Sequence, residues 1–173
     1  LEQCVDTVHW LHEHARALRI DATRMALGGD SAGANLALCT ALVLRDERSS
    51  HGLRALLLNY GGFDTAISKQ ARATLGTPDD MLSGEEMDAF WDNYLGAGPD
   101  NRQDPLAVPM HASMHGLPPA LLVLAECDVL AEQSERMAAR MRDQGNPAEL
   151  RRYPGASHSF LEAMSVSALA QQA

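Results

Sequence analysis

A serine set among small residues is the strongest chemical signal in the sequence. It lies in the stretch from Gly29 to Gly33, which reads GDSAG and fits a G-x-S-x-G pattern. The apolar run Arg24 to Gly28 precedes the serine, and a helical pattern rich in Ala and Leu follows it. A sharp strand-to-helix turn of this kind exposes the hydroxyl of Ser31 as a nucleophile above the strand ends. The first free N–H of the helix, that of Ala32, would face negative charge developing on a substrate.

The residues around Ser31 fit the steric demand of such a turn. Residues two positions before and after the serine must be small to avoid collision, and Gly29 and Gly33 meet that demand. Asp30 completes the predicted elbow. A glycine-rich strand-to-helix turn without chemistry is the alternative, so the remaining members of a catalytic set decide the matter.

A serine hydroxyl needs a base, and the base needs an acid that orients it. On this type of scaffold the chain order is Ser, then Asp or Glu, then His. Asp128 follows the apolar run Ala120 to Glu126, and His158 follows the loop 154–157. Both lie where predicted strands end, which is where open α/β sheets place their sites. We therefore predict a triad of Ser31, Asp128 and His158, with a helix N-cap at Asp128 and an ordinary loop histidine at His158 as the alternatives.

Other polar residues near these positions compete for the same roles. Glu126 precedes Asp128, but we expect its side chain to point into the strand layer. Cys127 has no second base to activate it, so we expect a packing residue at a buried strand end. Three early histidines lack the i, i+4 pair and third ligand that a zinc helix needs, and we predict no metal: His9, His12 and His14.

Short apolar runs alternate with helical patterns, which predicts an α/β fold with three α/β/α layers and a mostly parallel sheet. The predicted buried strands are Arg24 to Gly28, Leu53 to Asn59 and Ala120 to Glu126, with a charged strand near the sheet edge at Ala148 to Tyr153. The predicted helices span residues 3–18, 32–45, 131–144 and 161–173.

Residues 65–117 contain no strand pattern, and we interpret them as an insertion that packs over one end of the sheet. Ser83 and Glu86 have the spacing of a capping box, which predicts a helix start. Phe90, Trp91 and Tyr94 then form an aromatic stripe and are candidates for a wall of a substrate pocket. Plain core packing accounts for the stripe equally well.

Composition excludes several classes of partner. The chain has 173 residues, of which 46% are hydrophobic and 21% charged, as is ordinary for a globular domain. Fourteen basic against 23 acidic residues give a net charge of −9, which argues against binding nucleic acid or an anionic membrane surface. Three widely spaced cysteines suit neither a disulfide framework nor zinc, so we predict a reducing, cytoplasmic location: Cys4, Cys39 and Cys127.

From Gly29 to Asn35, GDSAGAN, the sequence resembles the hormone-sensitive-lipase-like esterases of the α/β-hydrolase fold, which include bacterial acetyl-hydrolases. Residues 127–132 resemble that family's acid loop, 153–160 its histidine loop, and 104–119 the stretch before the acid strand. The resemblance covers essentially all 173 residues, with Ala34 where the family has Gly. It implies hydrolysis of short-chain carboxylic esters through an acyl-enzyme, with no cofactor and with Ser31, Asp128 and His158 as the triad.

The same resemblance implies that the family's His-Gly-Gly-rich oxyanion loop and early strands lie upstream of this sequence. We therefore expect residues 1–173 to be the C-terminal part of a longer catalytic domain, with the strand 24–28 left as an exposed apolar edge. A homodimer through the edge of the last strand is expected from the resemblance alone. The alternatives to an esterase are a peptidase or amidase on the same scaffold, and a non-catalytic binding domain.

Overall fold

The computed structural model describes residues 1–49, 52–96 and 98–173. Within these residues, four strands form one sheet in the order β1-β2-β3-β4, and every pairing is parallel. The strands are β1 (Met25–Asp30), β2 (Leu53–Asn59), β3 (Ala120–Cys127) and β4 (Ala148–Ser157). The predicted parallel α/β class is confirmed, and the charged strand β4 lies at one edge as expected.

Helices cover the two faces of the sheet unequally. The helices are α1 (Glu2–Leu18), α2 (Ala32–Asp46), α3 (Lys69–Leu75), α4 (Gly84–Leu95), α5 (Ala131–Asp143) and α6 (Ala168–Gln172). Helices α2 and α5 bury the main core against one face of the sheet, and α1 packs on α2 and β1. The opposite face is covered by the 3-10 turn Phe160–Ala163 and by α6. The result is the predicted three layers, with a sparse layer on the second face.

The parallel register brings the C-terminal ends of all four strands to one side of the sheet. Asp30 lies opposite Asn59, Asn59 lies opposite Val123, and Cys127 lies opposite Ser157. The residues that follow these strand ends are therefore neighbours in space, although they are far apart in the chain.

The described part of residues 65–117 contains two helices and two 3-10 turns and no strand. Helix α4 begins at a complete capping box, as predicted. The Ser83 hydroxyl oxygen accepts a hydrogen bond from the Glu86 N–H at 3.1 Å, and the Glu86 carboxylate accepts one from the Ser83 N–H at 2.8 Å. This box satisfies two N–H groups that the first turn of a helix leaves unpaired.

The sequence predicted one continuous C-terminal helix, and this prediction is wrong. Residues 161–173 break into the end of a 3-10 turn and the short helix α6, separated by residues 164–167. The Ser167 side chain accepts a hydrogen bond from the Ala170 N–H, which starts a new helix instead of extending the first. Ser side chains compete with helical hydrogen bonding in this way.

The strand β1 has a partner on one side only in the described sheet, which agrees with the exposed edge expected from the sequence. No helix among the described residues is both long enough and apolar enough to cross a membrane.

Candidate active site

Ser31 occupies a strained turn between β1 and α2. Its φ of 55° and ψ of −115° lie in a region that non-glycine residues rarely adopt, at a cost of about 1–3 kcal/mol. A hydrogen bond from the Ser31 N–H to the Asn59 carbonyl, at 2.9 Å, holds the turn against β2. This is the backbone conformation expected of a nucleophile elbow.

The elbow requires glycine at one of the two predicted positions. A Cβ atom on Gly29 would lie 2.4 Å from the carbonyl carbon of Gly33, so the turn cannot close with a side chain there. A Cβ atom on Gly33 would meet nothing within 4 Å. The predicted steric demand therefore holds at Gly29 but is wrong for Gly33 within the part of the chain that the structure describes.

The three predicted triad residues come together at the C-terminal side of the sheet. The Nδ1 atom of His158 lies 2.7 Å from Oδ2 of Asp128, and its Nε2 atom lies 2.9 Å from Oγ of Ser31. Because the carboxylate can only accept, Nδ1 carries the proton and Nε2 accepts the hydrogen of the serine hydroxyl. Asp128 is 2% exposed and His158 7% exposed, whereas Ser31 remains partly accessible. A buried acid and base with an accessible hydroxyl can carry out nucleophilic catalysis.

The two oxygens of Asp128 have separate partners. Oδ2 faces His158, and Oδ1 accepts a hydrogen bond from the Leu130 N–H at 2.9 Å, just before α5 begins. The alternative role of Asp128 as a helix N-cap is wrong, because Leu130 occupies the N-cap position of α5 and Asp128 Oδ1 only accepts the N–H of that residue. That second bond fixes the orientation of the carboxylate toward the imidazole.

The rivals of Asp128 lie elsewhere, and two expectations about them are wrong. Glu126 is exposed and accepts a hydrogen bond from the Gly155 N–H at 3.1 Å, so it contacts the end of β4, which replaces the predicted loop 154–157 before His158, and does not point into the strand layer. Cys127 is also exposed and is not a buried packing residue. The strand pairing is irregular between Ala125 and Cys127, and the run of buried side chains in β3 ends at Ala125.

A cavity of about 570 Å³ opens beside Ser31. Its lining is largely apolar and comes mainly from the elbow, α2 and α4: Ser31, Ala32, Asn35, Leu36, Gly62, Met87, Phe90, Trp91, Asn93, Tyr94 and Leu130. The volume lies in the range of small-molecule sites. All three residues of the predicted aromatic stripe line this cavity.

The aromatic stripe of α4 contributes both to a core cluster and to the lining of this cavity. Trp91 is 6% exposed and packs in a core cluster with Met87 and Leu95, one turn before and after it. Phe90 and Tyr94 are 57% and 52% exposed and face the cavity from the neighbouring side of the helix. One stripe therefore anchors the helix while its flank remains open to a ligand.

Two residues that sequence reasoning did not single out hold the loops around the site. The Asn35 amide donates to the carbonyls of Gly62 and Ala107 at 2.8 and 3.0 Å, which ties α2 to the loop after β2 and to the insertion. Gln133, fully buried, accepts hydrogen bonds from the Phe63 and Asp64 N–H groups. Asn35 lay inside the GDSAGAN stretch and could have been noticed there, whereas no local pattern marks Gln133.

A third unpredicted residue, Tyr60, lies directly against the elbow and the histidine. Its hydroxyl donates to Oδ2 of Asp30 at 3.0 Å, and the Asn59 amide donates to Oδ1 of the same carboxylate at 2.8 Å. Burial, and then the hydrogen bond to Asp30, raise the pKa of the Tyr60 phenol well above its ordinary value, so it remains a donor. Asp30 thus accepts two hydrogen bonds from β2 and the residue that follows it.

Among the residues described, no three side chains of His, Cys, Asp or Glu are arranged to hold a metal ion.

Comparison with known proteins identifies the family. A family profile described as "alpha/beta hydrolase fold" matches residues 1–162, and the chain belongs to this family. Among solved structures, an esterase from Pyrobaculum calidifontis matches 97% of this chain and 55% of its own chain, with a TM-score of 0.89 and 29% identity. One of two fungal esterases from Rhizomucor miehei matches 99% of this chain and 55% of its own, with a TM-score of 0.91 and 30% identity.

Two curated relatives that match this chain also have names of ester hydrolases. The chain is 31% identical over 166 residues to a protein named ethyl acetate hydrolase from Pseudomonas putida, covering 95% of this chain and 52% of that protein. It is 30% identical over 177 aligned positions to an acetyl esterase from Salmonella paratyphi B, covering 100% of this chain and 54% of that protein. The resemblance to hormone-sensitive-lipase-like esterases is thereby confirmed. The chain spans about half the length of the curated relatives it matches.

Proposed function

We propose that this chain carries the catalytic triad of a serine hydrolase that cleaves short-chain carboxylic esters through an acyl-enzyme. The observation that carries the proposal is the single imidazole of His158, which spans Ser31 Oγ at 2.9 Å and Asp128 Oδ2 at 2.7 Å. These are the distances that proton transfer from nucleophile to base requires. The family and the printed names of the esterase relatives support the choice of substrate class.

The reaction begins when Nε2 of His158 takes the proton of Ser31 and Oγ attacks the ester carbonyl carbon. The N–H of Ala32, in the first turn of α2, faces the resulting oxyanion together with the positive end of the helix dipole. Asp128 holds the Nδ1 proton and stabilises the imidazolium. His158 then protonates the departing alcohol, and the acyl group remains on Ser31. Water, deprotonated by the same imidazole, releases the acid.

The cavity beside Ser31 is the proposed binding site for the small-molecule ester. Phe90, Trp91 and Tyr94 would form one wall, against which an apolar acyl or alcohol group can pack. The relatives reported above are esterases, which favours ester over peptide hydrolysis. We also propose a reducing, cytoplasmic location, a view supported by three cysteines that are all unpaired. The homodimer through the last strand remains a prediction.

Replacement of the nucleophile tests the proposal. Ser31→Ala should lower turnover of p-nitrophenyl acetate by a factor on the order of 10⁵–10⁶, because the triad acts as a unit. Ser134→Ala is the matched control, since the buried Ser134 Oγ has no hydrogen-bond partner among the described residues. That control should retain the wild-type rate, and a Ser31→Ala enzyme as active as wild type would contradict the assignment.

A fluorophosphonate probe, read by intact mass, distinguishes the alternatives without needing turnover. The wild-type chain should gain one phosphonyl group on Ser31, and the Ser31→Ala chain none. Absence of labelling both in the 173-residue chain and in a protein that also carries the oxyanion loop expected upstream would favour a non-catalytic domain, whereas labelling of the longer protein alone would show that the reaction needs that loop. Faster cleavage of amino-acid anilides than of p-nitrophenyl acetate would instead indicate a peptidase or amidase.

A further inference from the structure

Tyr60 follows β2 at the point where the strand ends meet. It is 1% exposed, and its backbone has a positive φ of 37°, which is uncommon for a residue with a large side chain. Its N–H donates to the Val123 carbonyl at 2.8 Å, which ties it to β3. Strained, buried residues persist only where their surroundings hold them, and they are concentrated at functional sites.

The hydroxyl of Tyr60 contacts Asp30, the residue that directly precedes the proposed nucleophile Ser31. Its hydrogen bond to Asp30, together with that of the Asn59 amide, fixes both carboxylate oxygens of the residue directly before Ser31. Ser31 itself holds a strained φ of 55°. A fixed neighbour therefore limits how far the Ser31 backbone can relax away from the position that presents Oγ to His158.

The aromatic ring of Tyr60 acts on the base side of the site. Its centroid lies 5.2 Å from that of the His158 imidazole at an interplanar angle of 64°. Phe160 packs against Tyr60 from the second-face cluster, with ring centroids 5.9 Å apart. Edge-to-face contacts of this kind have preferred geometries, so the tyrosine ring restricts rotation of the imidazole.

We propose that Tyr60 is a positioning residue that aligns the nucleophile through its hydroxyl and the base through its ring. The inference rests on the proposed function, because it concerns the same triad. It assigns two separable tasks to one side chain. A misplacement of reacting groups by about 1 Å can cost on the order of a hundredfold in rate, so alignment of this kind is measurable.

Two substitutions separate the tasks. Tyr60→Phe removes the hydroxyl and keeps a six-membered ring against His158, whereas Tyr60→Leu removes both. We expect kcat for p-nitrophenyl acetate, per phosphonate-titrated site, to fall about tenfold in Tyr60→Phe and about a hundredfold in Tyr60→Leu, with KM changed by less than about twofold. Tyr153→Phe is the matched control, because its hydroxyl lies 3.5 Å from the carbonyl of Ala173 and its ring packs on Phe160.

A proton NMR signal, which requires no turnover, tests the contribution of the Tyr60 ring separately from that of its hydroxyl. The Nδ1 proton of His158, held by Asp128, should give a low-field proton resonance in wild type, Tyr60→Phe and Tyr153→Phe, and lose it in Tyr60→Leu. If wild type is neither labelled nor active, the proposed function fails, whereas this resonance still tests the ring contact. Unchanged kcat per titrated site in both Tyr60 variants, with only a lower melting temperature, would overturn the positioning role, as would retention of the resonance in Tyr60→Leu.

Discussion

At the scale of single residues, the steric requirement of the elbow lies on Gly29. Gly29→Ala would place a methyl group 2.4 Å from the backbone of Gly33, and overpacking of this kind costs about 1–3 kcal/mol. Gly33→Ala places its methyl in open space inside the first turn of α2, where alanine is up to about 1 kcal/mol more favourable than glycine.

Urea denaturation of the two variants measures this difference in the free energy of unfolding. We expect Gly29→Ala to be less stable than wild type and Gly33→Ala to be equal or slightly more stable. Equal losses in both variants would mean that the two glycines are needed for the same reason, contrary to the geometry of the turn.

Also at the scale of single residues, we expect Cys39 and Cys127 to differ in their reactivity toward alkylating reagents. Burial, and then the negative charge of Asp104, raise the pKa of the Cys39 thiol to about 12, so it remains protonated across the physiological range. Cys127 is exposed. Because the thiolate is the reactive form, iodoacetamide at neutral pH should modify Cys127 and spare Cys39 until the protein unfolds.

Peptide mapping by mass spectrometry after timed alkylation gives the two rates. Denatured protein provides the control in which both thiols react. Modification of Cys39 in the folded chain at a rate close to that of Cys127 would contradict the burial described for α2.

At the scale of elements, we expect one side of α4 to stabilise the fold and the neighbouring side to contact a ligand. Trp91→Ala removes a side chain that is 6% exposed and should cost about 3–5 kcal/mol of unfolding free energy. Phe90→Ala removes one that is 57% exposed, and we expect a stability loss under about 1 kcal/mol. Phe90 lines the cavity beside Ser31, so its loss should instead raise KM for esters larger than acetate.

Thermal unfolding and steady-state kinetics of the two variants test this division. A Phe90→Ala protein as destabilised as Trp91→Ala would show that the stripe is core throughout. A Phe90→Ala protein with wild-type KM for all acyl and alcohol sizes would show that this side of the helix does not contact substrate.

At the scale of the whole molecule, one part of the sheet is open. Leu57 in β2 is 42% exposed, and Ala26 and Gly28 in the edge strand β1 are exposed beside it. An apolar sheet face next to an unpaired strand edge favours self-association. Leu57→Lys should therefore raise the concentration at which the 173-residue chain begins to associate.

Light scattering after size-exclusion chromatography measures that concentration. Val166→Lys is the control, because Val166 is 85% exposed, lies in the turn before α6 and not in a strand, and the substitution adds the same charge. Similar effects of both substitutions would assign the change to net charge and not to the sheet face.

The local elements and the identity of the triad candidates were predictable from the sequence because their causes are local. Apolar runs predicted β2 at its observed bounds, and the Ser83–Glu86 spacing predicted the start of α4. The order of Ser31, Asp128 and His158 after three strand ends predicted that they would meet. The prediction of one continuous C-terminal helix was wrong because the Ser167 side chain forms a competing local hydrogen bond that hydrophobic periodicity does not reveal.

Contacts between distant segments were decided by the tertiary structure alone. Gln133 lies 69 and 70 residues from the N–H groups it binds, and Tyr60 reaches back 30 residues to Asp30. Neither contact leaves a periodic or spacing signal, because the partners meet only after parallel strands have aligned their ends. The sequence by itself determined the class of fold and the chain order of the candidate nucleophile, acid and base. Only the packed sheet decided the distances between these candidates, the side of α4 that is open, and the side chains that contact them.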